Sequence, residues 1–348
     1  MRLCIRGWLA GAIALLAASL ASAQVFNMPG GQTSLQFVSV GDPGNVADPA
    51  TGLGAVGYTY RMGRCDVTLA QYAAFLNAVA QTDTYGLYSP GMATDYPTVG
   101  IAQSGSPGSY NYSVIGAAAG GNNMPVFDIT WGDAARFCNW LQNGQPTNKP
   151  EGIGTTETGA YTLNGSNTPS ALLGVTRNAA ADYFIPSENE WYKAAYYVGG
   201  GTNAGYWQYP TKSNSAPGNV LSTTGSNNAN YGSADPTNCL TPVGYFAGSP
   251  GPYGTFDQGG ELYQWTDTPI SAYGYPGFAM MGSAWDMDGG YLQSDNTVWP
   301  WTPDPAAQYY FSGFRVAEAP EPSTLCLLAT ASVLLGGTFL GRRMTRKV

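Results

Sequence analysis

Three side chains in the body of this chain could act as thiolates: Cys65, Cys138 and Cys239. A thiolate is both a nucleophile and a ligand for soft metals. An odd number admits one disulfide at most and leaves one thiol over. Cys138 falls on the apolar side of a helix-like repeat, where a small buried hydrophobe is the plain reading. Cys65 is expected to pack or to pair. Cys239, in a polar stretch before Pro242, is the thiol expected at the surface. Histidine is absent altogether, which excludes Ser-His-Asp triads, His-ligated zinc and histidine general bases. Asp286, Asp288 and Asp295 could do acid–base work, hold a cation or be solvated loop charges. Trp285, Trp299 and Trp301, with Tyr309 and Tyr310, could line a sugar- or peptide-binding surface or fill the core.

These residues must be positioned by a few short elements. Gly57 to Met62 alternates and predicts a strand. Thr68 or Asp66 caps a helix whose apolar positions are Tyr72, Phe75, Leu76 and Val79. Thr82 to Asn123 reads as a long Gly/Ser/Tyr-rich connection, too polar for a packed layer of its own. Met124 to Trp131 predicts a strand running into a second helix, with Asp133 at its start and Ala134, Phe137, Cys138 and Leu141 on one side. A further loop covers Gln142 to Ala181. Ser187 and Glu190 have capping-box spacing ahead of a third helix carrying Trp191, Ala194 and Ala195. Gly199 to Pro252 reads as loop. The stretches 254–257, 261–266, 280–285 and 314–316 predict short strands. No internal repeat, phosphate-cradling Gly-rich loop or basic stripe is present.

Both ends of the chain look like transport signals. Arg2 and Arg6 precede an apolar stretch from Trp8 to Leu20, and Ala21-Ser22-Ala23 suits cleavage, so residues 1–23 read as a signal peptide. At the other end, Pro320-Glu321-Pro322 precedes an apolar run from Leu325 to Leu340 and the cations Arg342, Arg343, Arg346 and Lys347. That run is short against the ~20 residues that span a bilayer comfortably, and the cations suit the cytoplasmic side. The three-part order over 320–348 resembles the PEP-CTERM sorting tag. The resemblance implies export, transient passage through the inner membrane, an exosortase-type partner, and a final place in the envelope, surface or extracellular matrix of a Gram-negative-type bacterium. A plain tail anchor is the other reading.

From Gln24 to Glu321 stand eight Lys and Arg against 22 Asp and Glu, a net charge of −14. That balance argues against nucleic acid and anionic membrane as partners and is compatible with calcium. Residues 24–319 are long enough for one sizeable core. Their Gly, Asn, Ser, Thr, Pro and Tyr suit long polar loops over a small regular core.

Six phrases in order resemble a known family. They are Asp66-Val67-Thr68 with Tyr72 and Phe75-Leu76-Asn77; Met124-Pro125-Val126 with Trp131-Gly132-Asp133-Ala134; and Ile185-Pro186-Ser187-Glu188-Asn189-Glu190-Trp191. Gly259-Gly260-Glu261-Leu262-Tyr263-Gln264-Trp265, Gly282-Ser283-Ala284-Trp285 and Gly313-Phe314-Arg315 follow. Over roughly residues 57–317 the chain is similar to the formylglycine-generating enzyme, or sulfatase-modifying factor, family. The fold this implies is α+β: a loop-rich variant of the C-type lectin fold, often stabilised by calcium.

The resemblance implies an oxidase that turns the cysteine of a Cys-x-Pro-x-Arg motif into an aldehyde, using two copper(I)-binding cysteines just after the Gly-Ser-x-Trp phrase. Here those positions fall at Asp286 and Tyr291, and no cysteine occurs from Leu240 to Leu325. A carboxylate and a phenol are hard donors that cannot replace a thiolate pair for copper(I). Calcium is the cofactor the resemblance leaves open. Its first site maps to the side chains of Asn219 and Asn230 with backbone at Val220 and Gly232, unless these are turn-forming asparagines. Its second site maps to Glu261, Leu262 and Gln264, with the carboxylate moved from the family's later position to the earlier one. Arg315 is expected to be buried against an acidic partner, and Glu188 and Glu190 to be helix-start charges. The expected product is an exported module without catalysis, holding a glycan or peptide on a surface that includes Trp285, Asp286, Trp299 and Trp301. The alternative is an active oxidase with a rebuilt site.

Overall fold

The computed structural model describes residues 26–272, 275–298 and 303–320. The leader, Trp299, Trp301, Glu321, Pro322 and the apolar C-terminal run lie outside them. Among the described residues, no helix is long and apolar enough to cross a membrane.

Three capping boxes start the three main helices, α1 (Leu69–Val79), α2 (Trp131–Gln142) and α4 (Glu188–Tyr196). In each, a hydroxyl accepts a backbone N–H three residues on, and that residue's side chain accepts the cap's own N–H. The pairs are Thr68 with Gln71, Thr130 with Asp133, and Ser187 with Glu190. Thr68 rather than Asp66 is therefore the cap of α1. The predicted apolar positions of all three helices are buried. Tyr72, Phe75 and Phe137 meet Phe314 in one aromatic cluster, and Trp131 stacks on Phe278 at 4.3 Å. A fourth helix, α3 (Pro169–Leu172), is a single turn in the loop after α2.

The strands are short and form three small sheets. β1 (Phe37–Val40), β2 (Tyr60–Gly63), β9 (Ala317–Glu318) and β5 (Tyr183–Phe184) pair antiparallel in that spatial order. β6 (Tyr263–Ala272) pairs antiparallel with β7 (Tyr275–Met281) and parallel with β8 (Ser312–Gly313). β3 (Gly100–Ser104) and β4 (Asn111–Ile115) make a hairpin whose Ile101 and Tyr112 are buried.

That hairpin corrects the reading of 82–123 as a connection without a packed layer. The predicted strand at 314–316 is instead the link between β8 and β9, and two further strand expectations fail for backbone reasons. Asp128 sits in the left-handed region at φ 57, so 124–131 makes one isolated bridge instead of a strand. Gly254 and Asp257 are also left-handed, at φ 86 and 60, and turn the chain through 254–257.

Fully buried Arg315 and half-buried Arg177 tie the elements together. Arg315 donates to Gln264 Oε1 at 2.6 Å, Gly63 O at 2.9 Å, Phe256 O at 2.8 Å and Asp66 Oδ1 at 3.3 Å. Arg177 bridges Glu190 at 2.8 Å and Asp267 at 2.7 Å while lying 3.8 Å from the Phe184 ring centroid. Glu190 is thus both a capping-box partner and half of an ion pair. The Arg177 guanidinium holds its carboxyl below the usual range against the opposing effect of burial. Removing one member of such a buried pair strands the other without compensation.

Candidate functional site

The left-handed turn at Gly260 (φ 83) and Glu261 (φ 62) delivers the Glu261 side chain inward at the start of β6. A Cβ at Gly260 would stand 2.0 Å from Asn230 O, so only glycine lets the two backbones approach. Glu261 is 2 % exposed and its carboxylate has no cationic partner among the described residues. It accepts from Thr241 N at 3.1 Å and from the Thr241 hydroxyl. Burial, and then the neighbouring Asp257 carboxylate, push its pKa well up. Half-buried Asp257 is raised to about 6 by desolvation.

Asn230 completes this cluster. Its Nδ2 donates to Cys239 O at 2.8 Å, and its Oδ1 is buried without a hydrogen-bond partner. Asn230, Asp257 and Glu261 line a cavity of ≈ 20 Å³, together with Gln258 and Thr211. Two carboxylates and an orphaned amide oxygen around a space for one small guest form a donor set that suits a hard cation.

The expected calcium residues are regrouped by this geometry. Asn230 lines a cavity with Glu261, while Asn219 stays against Tyr231 and Gly232, its companions in the expected first site. Asn219 is exposed and donates to Tyr231 O at 3.3 Å; Gly232 is its neighbour, and Val220 is 67 % exposed. Leu262 is buried beside Glu261. Gln264 is engaged elsewhere: its Oε1 accepts from Trp191 Nε1 and Arg315 Nε, both at 2.6 Å, and its Nε2 donates to Asp257 O at 2.8 Å. Asp257 was not anticipated from the sequence. The Phe-Asp-Gln-Gly-Gly stretch ahead of Glu261 is the signal that could have pointed to it.

A second group of residues stands on top of this cluster. Trp285 N donates to Glu261 O at 2.9 Å, Ser233 N to Trp285 O at 2.7 Å and Gly232 N to Met287 O at 2.9 Å. Half-buried Trp285 donates through Nε1 to Tyr96 Oη at 2.9 Å, and Tyr96 in turn donates to Tyr310 O at 3.0 Å. Tyr310, 39 % exposed, donates its own hydroxyl to Asp286 Oδ2 at 2.9 Å. Asp286 Oδ1 is buried and unpartnered. The result is a surface of Trp285 and Tyr310 over buried Tyr96, beside a carboxylate with one buried, unpartnered oxygen. Tyr96 belongs to it although its loop carried no pattern beyond an aromatic among polar residues. Asp288 and Asp295 are exposed and do not join Asp286 in hydrogen bonding.

The thiols do not assemble. Cys65, Cys138 and Cys239 are all free. Burial pushes the Cys65 and Cys138 thiols far up, away from thiolate character. Half-buried Cys239 lies near enough to Asp235 and Asp286 for both carboxylates to raise it further, after desolvation. Copper(I) therefore finds neither the paired cysteines nor a thiolate-stabilising environment, and the residues present do not fit it.

Comparison with known proteins agrees with this geometry on the fold. Curated proteins gave no significant match. A crystal structure of CarF superposes with a TM-score of 0.54 at 19 % identity, covering 82 % of this chain and 99 % of that one. Treponema denticola variable protein 1 superposes at 0.50 and 17 % identity, covering 83 % and 96 %. At such identities the likeness speaks for a shared fold. The profile of the sulfatase-modifying factor enzyme 1-like domain matches residues 20–320, and the chain belongs to that family.

Proposed function

We propose that this chain is a non-catalytic binding module of its family, exported and held at the cell surface or in the extracellular matrix. The observation that carries the reading is the Asp286/Tyr291 pair at the family's copper positions, with no cysteine from Leu240 to Leu325. The surface of Trp285, Tyr310 and Asp286, backed by buried Tyr96, is the ligand surface, and a hydroxyl- or amine-bearing glycan or a peptide suits its aromatic groups and carboxylate. Trp299 and Trp301, which follow in sequence, extend that expectation outside the described residues.

Calcium is the cofactor of this reading. Glu261, Asp257 and Asn230 would hold it, and it would neutralise two carboxylates and brace the loops that carry Trp285. The sorting reading rests on Pro320, which is exposed, and on Glu321 and Pro322 beyond it. An exosortase-type enzyme is the partner implied.

One observation favours the oxidase alternative. Cys239 lies near enough to Asp286, which stands at one of the two copper positions implied by the family, for that carboxylate to raise its pKa after burial and Asp235. A single thiol does not make the copper pair. The test is incubation of the purified chain with a Cys-x-Pro-x-Arg peptide, copper(I), oxygen and reductant. Mass spectrometry then follows the thiol. No aldehyde is expected from a folded sample; turnover that Cys239→Ser abolishes would establish the oxidase instead.

A further inference from the structure

A separate cleft of ≈ 250 Å³ opens between the loop after β1, the loop after α4 and the segment following Leu292. Tyr206 and Trp207 form its aromatic wall, and Asp48, Gln208, Asn214 and Asp295 supply polar groups. Clefts for drug-sized ligands run to about 300–1,000 Å³, so this one suits a smaller guest.

Its walls are fixed before any guest arrives. Tyr206 donates to Val46 O and accepts from Asn45 Nδ2, both at 2.8 Å. Gly54, at φ 90, allows this approach, since a Cβ there would lie 2.6 Å from Tyr206 Oη. Asp48 is oriented by Tyr192 Oη at 2.7 Å and Ala50 N at 2.9 Å. Gln208 N donates to Asn214 Oδ1 at 3.1 Å, and Ser294 N to Gln208 O at 2.9 Å. Trp207 is held by its backbone N–H on Tyr196 O at 2.8 Å.

Against these fixed groups stands one that is unmet. Trp207 Nε1 is buried and has no hydrogen-bond partner. An indole N–H only donates, and when buried it ordinarily finds an acceptor. The exposed Asp295 and Gln208 side chains stand at the same cleft, and no Lys or Arg lines it.

We propose that this cleft is a binding site for a single hexose-sized sugar, neutral or amino-substituted. The apolar face of a pyranose ring stacks on the aromatic wall. Sugar hydroxyls or an ammonium group donate to the carboxylates, and a turn of the Trp207 indole, whose side chain no hydrogen bond holds, brings Nε1 out to a ring or hydroxyl oxygen. Two carboxylates without a cation reject uronic acids and phosphorylated sugars. The inference goes beyond the proposed function, for it uses neither the thiols nor the Trp285–Asp286 face.

The test titrates the purified full chain with glucose, glucosamine and glucuronate, read by tryptophan fluorescence and calorimetry. Saturable binding of glucose or glucosamine with a Kd up to about 10 mM is expected, with glucuronate at least tenfold weaker. Trp207→Phe keeps the ring and removes the N–H; Asp295→Asn removes an exposed charge with no structural duty. Both are expected to weaken binding several-fold while leaving circular dichroism unchanged. Absence of binding by either sugar to a folded chain would overturn the proposal. So would equal binding of glucuronate, or affinities that neither variant alters. A failure here leaves the peptide-aldehyde assay and the reading it tests untouched.

Discussion

Glu261 combines what the chain spells out with what only folding reveals. Its place in the Gly-Gly-Glu-Leu-Tyr-Gln-Trp phrase was legible, as was its acidity. Its partners were not: Asp257 arrives through a left-handed turn four residues earlier, and Asn230 through a loop with no repeating pattern. The structure leaves Glu261 fully desolvated beside a second carboxylate, and that arrangement predicts a response to calcium. Millimolar calcium at pH 7.5 is expected to raise the melting temperature, and Glu261→Gln to raise it without calcium while abolishing the calcium increment. Differential scanning calorimetry on both proteins, with and without chelator, reads this directly. An unchanged calcium increment in the variant would remove Glu261 from the ion's ligands. Arg315 shows the opposite balance of legibility. A buried arginine with an acidic partner was expected from the Gly-Phe-Arg phrase, and Asp66 fills that part.

Helix starts were the most legible elements because their chemistry is local. A hydroxyl and a carboxylate or amide three residues apart satisfy each other's backbone N–H groups wherever the chain lies. Ser187 and Glu190 do so at the start of α4, whose Trp191 anchors Gln264. Ser187→Ala is expected to destabilise the protein by about 1 kcal/mol, read from urea unfolding, and to leave the cleft at Trp207 intact. A loss of several kcal/mol would mean that the Arg177–Glu190 pair had also come apart. Strands were less legible for a non-local reason. The β3–β4 hairpin buries Ile101 and Tyr112 against α1 amid Gln103, Ser104, Asn111 and Ser113, so its composition resembles a loop. Conversely, Met124-Pro125-Val126-Phe127 has strand composition, but Asp128 in the left-handed region ends the extended run. Pairing partners far along the chain decide such segments, and neither propensity nor periodicity carries that information.

At the scale of the whole molecule, the fold concentrates acid in places that water cannot reach. Burial raises Asp257 to about 6 and Asp133 and Glu151 to about 7, while Asp128 reaches about 7 with Asp95 beside it contributing. An unfolded carboxyl titrates near 4. Between about pH 4 and pH 7 the folded protein therefore holds protons that the unfolded chain has released. The contribution of these groups is complete below the unfolded values and is lost as pH rises through the folded ones. Glu190 and Asp235, whose values are lowered, act with the other sign and lose their contribution only as pH falls below about 4. The charge of −14 over residues 24–321 adds self-repulsion on the alkaline side. The melting temperature is thus expected to peak in mild acid, near pH 4–5, and to fall by several degrees by pH 8. Calcium is expected to flatten the alkaline limb, because an ion held by Asp257 and Glu261 replaces the protons they would otherwise need. A thermal-melt series across that range, run with chelator and again with calcium, separates the two effects. A peak at neutral pH without calcium would mean that these carboxylates are better solvated than their burial implies. A limb equally steep with calcium would mean that protons alone compensate the buried acid, and that the loops bearing Trp285 stand without an ion beneath them.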